Sequence, residues 1–306
     1  MDALSSLVTL LKPQAVAATI VRGAGRWGVG YTHFGHPGYA LVLDGSCWIA
    51  VDGFGGRRLE PGDFIFFPAT PAFSLASDAK VKPKRIPPVP SGNLLDDHFY
   101  GEKTEPADVT LLGGYFKFDP INAPLLLNLV PRMLHIRAKD PEISGVAPVV
   151  ALIKREVLEK RAGQTLVLSR LIEVLLVETL RSAPEDVSAT GLLAALRDPK
   201  LATSLRVIHT QTAEPWTLAT LARISGMSRS AFAERFSRVL GDTPLNYLLQ
   251  WRLALAKNLL ATNQVSVAEA AEAVGYESAS GFSTAFTRET GQSPRAFIQH
   301  LTTPPP

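Results

Sequence analysis

The sequence predicts an α+β chain of two domains: a β-rich front with helices behind it, and an all-α tail built from two helix-turn-helix units. Three observations carry this. Short apolar runs separated by Gly-, Pro- and Asp-containing turns fill residues 20–120. From residue 123 the apolar period changes to that of helices. The last hundred residues then repeat one pattern: Ala222, Gly226, Phe232, Phe236, Gly241, Pro244 and Tyr247 recur as Ala271, Gly275, Phe282, Phe286, Gly291, Pro294 and Phe297, 49 or 50 residues later.

Length and composition set the outer bounds. The 306 residues suffice for two domains with their own cores, and 46% apolar content is ordinary for a globular protein. A single cysteine, Cys47, excludes an intramolecular disulfide and fits a reducing cytoplasm. The start, with Asp2 and no basic segment, does not read as a signal peptide, and no membrane partner is expected. A net charge of +3 is too mild to indicate nucleic-acid binding by itself.

In chain order, Leu4, Leu7, Val8 and Leu11 give a short amphipathic helix. Asp44-Gly45 and Asp52-Gly53 separate apolar runs and predict hairpins, because the second residue can take positive φ. Leu59-Glu60-Pro61-Gly62-Asp63 is a further turn before the strand Phe64–Phe67. Many short strands of this kind predict a small barrel or sandwich. Residues 80–106, rich in Pro, Gly and charge, read as a long surface loop carrying Lys80, Lys82, Lys84 and Arg85, and strand signal resumes over Val109–Phe118. Leu125–Leu134 and Val149–Ala162 read as helices. Leu166–Arg181 shows a wide apolar stripe (Leu168, Leu171, Ile172, Leu175, Leu176, Val177) that either packs on its own domain or joins two chains. Pro184, Glu185, Asp186 and Ser188 read as a linker, and from Leu192 the chain reads as helical. The predicted division is 1–122, a helical connector at 123–190, and 200–303.

Within each repeat the spacing is that of a helix-turn-helix. A small Ala admits a close helix, a Gly four residues on serves the turn, and two Phe at i, i+4 anchor the next helix. Thr217, Ser228, Ser266 (with Glu269), Ser278, Thr243-Pro244 and Ser293-Pro294 supply helix N-caps. Between the units a continuous helix over Pro244–Ala261 spans about 27 Å at about 1.5 Å per residue. That approaches the roughly 34 Å of one turn of B-DNA, so a rigid spacer would set two helices into successive major-groove faces. With the Phe pairs inward, Arg229, Ser230, Ala233 and Glu234 face out on the first recognition helix, and Ser280, Gly281, Ser283 and Thr284 on the second. Arg229 suits guanine and Glu234 suits cytosine N4, whereas Ser and Thr discriminate weakly. Arg235, Arg238, Arg252 and Arg288 are the phosphate candidates.

The motifs Trp216-Thr217-Leu218-Ala219-x-Leu221-Ala222, Ser228-Arg229-Ser230-x-Phe232, Gly241-x-x-Pro244, Gly275-Tyr276-Glu277-Ser278-x-x-x-Phe282 and Gly291-x-Ser293-Pro294-x-x-Phe297 resemble those of the AraC/XylS-type transcription regulators. The resemblance covers about residues 200–300 and implies a bacterial, sequence-specific regulator with a seven-helix DNA-binding domain. Gly45-Ser46-Cys47-Trp48, Leu59–Asp63 and Pro124-Leu125-Leu126-x-x-Leu129-x-Pro131 resemble a cupin-type sensor domain, and so imply a cupin-like barrel at 1–122.

The partners implied are double-stranded promoter DNA, an unidentified small-molecule effector, a second copy of the chain and, as a further candidate, RNA polymerase. The sign of regulation is not readable. Cupins often hold a metal, but histidines expected near Ala40 and Phe73 are absent, and His33 and His36 at i, i+3 do not share a strand face. Neither metal, cofactor nor catalytic residue is therefore expected. Trp27, Trp48, Phe66 and Phe73 either line a pocket or fill the core. A cupin oxygenase or isomerase with a DNA-binding appendage, and a constitutive DNA-binding protein with a barrel scaffold, are the rival readings.

Overall fold

The computed structural model describes residues 2–87, 95–103, 106–123, 127, 129–140, 145–183, 190–262 and 265–302. In chain order the elements are α1 (Ala3–Leu11), β1 (Gln14–Ala24), β2 (Gly28–Tyr31), β3 (Gly38–Gly45), β4 (Cys47–Val51), β5 (Gly55–Leu59), β6 (Phe64–Phe67), β7 (Phe73–Ala76), β8 (Lys84–Ile86), β9 (Asp96–Gly101), β10 (Val109–Lys117) and β11 (Leu134–Ile136). The helices α2 (Val146–Glu159), α3 (Gln164–Arg181), α4 (Leu192–Arg197), α5 (Pro199–Thr210), α6 (Leu218–Ile224), α7 (Arg229–Leu240), α8 (Pro244–Ala261), α9 (Val267–Ala273), α10 (Ala279–Thr290) and α11 (Pro294–Thr302) follow. None of the described helices is long and apolar enough to cross a membrane.

Two units emerge, and their borders differ from the expected 1–122, 123–190 and 200–303. One joins Pro13–Phe118 to Pro131–Ser188; the other joins Met1–Lys12 and Asp119–Val130 to Ala189–Pro306. The expected connector helices α2 and α3 belong to the sheet unit, where they pack on each other and α3 packs on β1. The first helix belongs to the helical unit: α1 packs on α5 and α8, burying Leu7, Leu10 and Leu11. A backbone bond from Asp119 N–H to Leu11 C=O at 2.8 Å holds the neighbouring segment there, and Asn122 Nδ2 donates to Ala254 C=O at 3.1 Å.

In the sheet unit, a six-stranded sheet of order β11-β6-β3-β10-β1-β9 and a five-stranded sheet of order β5-β4-β7-β2-β8 share one core, rather than closing into a single barrel. Val21, Val42, Ile65 and Leu111 come from the first sheet; Val29, Ile49, Val51 and Leu75 come from the second. Asp52-Gly53 turns a true hairpin, since β4 pairs antiparallel with β5 and Gly53 has φ 82°. Asp44-Gly45 does not. Gly45 has φ 67°, but β3 and β4 lie in different sheets, so this turn is a corner between sheets. The same positive φ serves both, which is why the sequence could not separate them.

The expected loop at 80–106 contains two strands: β8 pairs parallel with β2, and β9 parallel with β1. Both are edge strands, and their charges (Lys84, Arg85, Asp96, Asp97) mask them as loop while discouraging further strand pairing. Leu134, expected to end a helix, instead opens β11 opposite Phe66. The cupin-motif residues Pro124, Leu125 and Leu126, and the linker residues Pro184, Glu185, Asp186 and Ser188, lie outside the described residues. On α3, Leu168, Ile172, Leu175 and Leu176 are buried, whereas Leu166 and Val174 on another face are 64% and 46% exposed.

In the helical unit each expected cap is made, including the reciprocal Ser266/Glu269 box. Phe232, Phe236, Phe282 and Phe286 are fully buried. Phe236 meets Tyr247 edge-on at 5.7 Å, and Phe286 meets Phe297 likewise at 5.5 Å, so the repeat extends to the packing. Residues on several sides of α8 are buried (Tyr247, Leu248, Trp251, Leu253, Ala254, Ala256, Leu260), as befits a spacer helix with neighbours all round. His209 stacks on Trp251 at 3.9 Å and lies 2.8 Å from Tyr247 Oη. Burial pushes its pKa down to about 3, so it is neutral at pH 7.

Phe232→Ala and Phe282→Ala should each destabilise the helical unit by about 3–5 kcal/mol. Urea unfolding followed by helix signal measures this, and unchanged midpoints would show the buried faces to be wrongly assigned.

Candidate nucleic-acid interface

Two recognition helices, α7 and α10, are presented in the same way. Gly226 (φ 60°) and Gly275 (φ 83°) turn the chain between α6 and α7 and between α9 and α10. At Gly275 the constraint is double, because a Cβ there would run into the Ala213 carbonyl. Met227 N–H donates to Ala222 C=O at 3.0 Å, and Tyr276 N–H to Ala271 C=O at 2.9 Å, so both turns close on the small Ala. The extra residue of the second turn, Glu277, is accommodated ahead of the Ser278 cap.

A 50-residue shift superposes the exposed faces in sequence: Ser230, Glu234 and Arg238 at i, i+4, i+8 on α7 correspond to Ser280, Thr284 and Arg288 on α10. All six are exposed. Arg229, exposed at the first position of α7, and half-buried Ala233 flank this line; their counterparts are Ala279 and Ser283. The side chains of Arg229, Glu234 and Arg238 make no hydrogen bond or ion pair among the described residues.

The polar groups of α10 are differently disposed. Ser283 Oγ donates to Ala279 C=O at 2.7 Å and Thr284 Oγ1 to Ser280 C=O at 3.0 Å, while Gly281 N–H donates to the Ser278 cap. Such back-bonding leaves these hydroxyls as acceptors toward a partner. The Arg288 side chain is 66% exposed and, among the described residues, bonded only to its neighbour Glu289, at 2.8 Å.

Arg235 and Arg252, the other two phosphate candidates, are engaged within the helical unit. Arg235 Nε donates to Asp198 at 2.6 Å, and Asp198 also caps α5 through Lys200 and Leu201 N–H. Arg252 donates to the carbonyls of Thr212 (3.0 Å) and Glu214 (2.7 Å), and burial lowers its pKa. Both guanidiniums therefore tie elements of the helical unit together. Sequence reasoning missed these bonds because the partners lie 37 to 40 residues away.

It also missed Arg295. This residue, with Ser266, Ser280, Ser283 and Ser293, lines an open groove of about 670 Å³ where α9, α10 and α11 begin. The signal was present: a basic residue directly after the Ser293-Pro294 cap, where helix N–H groups face outward.

No group of three or more His, Cys, Asp or Glu among the described residues is placed to hold a metal ion. His33 and His36 are exposed in the β2–β3 loop. Cys47 is buried, and burial, with the charge of Asp63, pushes its thiol up to about 12, so it carries no thiolate at pH 7.

Asp198 tests the structural role of Arg235. Burial works against its carboxylate, but Arg235 and the two backbone N–H groups outweigh this and hold its pKa below the usual value. Asp198→Ala should cost about 1–2 kcal/mol at pH 7. That stabilisation is present above the unfolded pKa near 3.9 and lost as pH falls through the lower folded value. Denaturation of both proteins across pH 2–7 should therefore show curves converging below about pH 4; equal stability at pH 7 would return Arg235 to the free cations.

Two family models match: Cupin over residues 2–185 and Helix-turn-helix domain over residues 221–300. A protein of Streptomyces lividans described as an AraC-like transcription regulator is 34% identical, covering 99% of this chain and 100% of its own. One of Streptomyces antibioticus with the same description is 33% identical, covering 98% and 99%. Among solved structures, the DNA-binding domain of AdpA in complex with a target DNA is 32% identical over 34% of this chain and 92% of its own, with TM-score 0.32. The chain belongs to the AraC-like family of DNA-binding transcription regulators, with a cupin domain ahead of its helix-turn-helix domain.

Proposed function

We propose that this protein is a cytoplasmic, effector-responsive regulator that binds promoter DNA as a homodimer, with α7 reading bases and α10 reading mainly shape and phosphates. The observation that carries the DNA reading is the asymmetry of two otherwise matched helices. On α7, Arg229 and Glu234 are exposed and uncommitted. On α10, Ser283 and Thr284 spend their donors on their own helix, and Ser280 and Gly281 are small. A helix of this second kind approaches DNA closely but discriminates bases weakly. Ser230 and Ala233 complete the α7 surface as small residues that admit a base edge. Arg238, Arg288 and Arg295 take the phosphates.

Effector response belongs to the sheet unit, whose core includes a cavity lined by both sheets. A ligand there biases DNA binding only if its affinity differs between the DNA-competent and incompetent states. The second copy of the chain would cover apolar side chains exposed on α2 and α3, namely Leu152, Leu158, Leu166, Val167 and Val174.

Arg229→Ala should relax preference at one base position with the fold intact, whereas Arg238→Ala and Arg295→Ala should weaken binding to all sequences and reduce the salt slope by about 1 each. Binding to a randomised site library at several salt concentrations separates these. Unaltered base preference would remove Arg229 from the readout, and unaltered slopes would remove the other two from the phosphate contacts.

A further inference from the structure

We propose that the sheet-unit cavity takes an uncharged, flat aromatic molecule bearing one hydrogen-bonding oxygen, and rejects organic anions. This rests on the effector-responsive reading above and specifies the effector's chemistry.

The cavity is written into the strand register. On the inner face of the six-stranded sheet, Val21 lies opposite Leu111, and Leu111 opposite Val42, and all three are buried. Two residues along each strand, on the same face, Thr19 lies opposite Gly113, and Gly113 opposite Ala40. A row of large side chains is thus followed by a row of small ones. The space left by the small row is part of a cavity of about 380 Å³, at the lower end of the roughly 300–1,000 Å³ usual for small-molecule sites.

Gly113 serves no turn. Its φ is not positive, and the nearest atom to a Cβ built there is the Tyr39 carbonyl oxygen at 3.7 Å. Neither backbone strain nor crowding demands a glycine in the middle of β10, where glycine ordinarily weakens a strand. Its consequence is the open space.

The facing sheet supplies Tyr31 and Phe73, which stack at 5.0 Å, and Phe67 of the six-stranded sheet stacks on Phe73 at 6.2 Å, with interplanar angles of 29° and 27°. Near-parallel rings favour a planar guest in offset stacking.

The polar groups define the rest. Tyr31 Oη lies 3.2 Å from Tyr100 Oη. That bond uses one of the two phenol protons and leaves the other to donate to a ligand oxygen. Burial raises the Tyr31 pKa, keeping its phenol neutral. Among the described residues, no Lys or Arg lines the cavity; its ionisable groups besides tyrosines are Asp96 and His98. A carboxylate entering would lose water and meet no permanent cation, only the exposed imidazole of His98 with the acidic Asp96 beside it, which is unfavourable.

Three probes on one frame test this by equilibrium dialysis against the full-length chain: 4-phenylphenol, biphenyl and biphenyl-4-carboxylate. The phenol should bind at least about tenfold more tightly than the carboxylate, in keeping with an uncompensated buried charge. Gly113→Val, which fills the small row, should weaken phenol binding by about tenfold or more. Tyr31→Phe combined with Tyr100→Phe keeps both rings and removes both hydroxyls, so it should weaken the phenol by up to about tenfold and leave biphenyl unchanged; it remains informative if Gly113→Val does not fold. Equal binding of phenol and carboxylate, no phenol binding, or identical phenol affinity in wild type and both variants overturns the assignment. Affinity for a selected DNA site is measured in parallel with and without 4-phenylphenol. Phenol binding without any change in DNA affinity upholds the ligand class and removes the effector-responsive reading instead.

Discussion

The pair of buried phenylalanines at i, i+4, used twice, is the constraint on which the DNA-binding unit depends. Each ring pair fixes the rotation of its helix about its own axis: the buried side chains of α10 are these two rings, and those of α7 are its two rings with Leu240 one turn on. Rotation fixed, the exposed line Ser230–Glu234–Arg238 or Ser280–Thr284–Arg288 follows without further specification. Tyr247 and Phe297 then lock each pair against the next helix, so α8 receives the first unit on one part of its surface and the second on another. A spacer buried on several sides is stiff, and stiffness is what converts two weak readers into one instrument with a set distance between them.

The two repeats share packing but have diverged in chemistry. The buried pattern leaves the exposed positions free to differ, so Glu234 corresponds to Thr284 and Arg229 to Ala279 in the repeat. The arginines divide in the same spirit. Arg229, Arg238 and Arg295 stand on exposed faces, while Arg235 and Arg252 are held by Asp198 and by the Thr212 and Glu214 carbonyls. Both groups are basic residues on helices of one small domain, and only the partner distinguishes them.

That distinction marks where the sequence stops being legible. Caps, turns and the Phe anchors depend on neighbours within a few residues, and Ser228, Ser266, Gly226 and Phe282 could be placed from spacing alone. Arg235 and Arg252 depend on partners far along the chain, which spacing does not reveal. In the sheet unit, Asp-Gly marks a change of direction but not whether the chain folds back or crosses to the other sheet, so Asp44-Gly45 and Asp52-Gly53 read alike. The edge strands β8 and β9 were hidden by the charges that protect them. Of the aromatics singled out beforehand, Phe73 reaches the cavity, whereas Trp27 and Phe66 are buried among other side chains. The small row Thr19–Gly113–Ala40 became visible only when the register brought three distant residues side by side.

The central claim is that one chain reads two DNA segments at a distance set by α8. Selection of genomic fragments by the purified chain, followed by footprinting of the enriched sites, measures this directly. The account predicts a small set of sites in which each subunit protects two major-groove segments about one helical turn, roughly 34 Å, apart, the segment read by α7 showing the sharper base preference. Protection of a single segment per subunit, or two segments at no constant spacing, would contradict it.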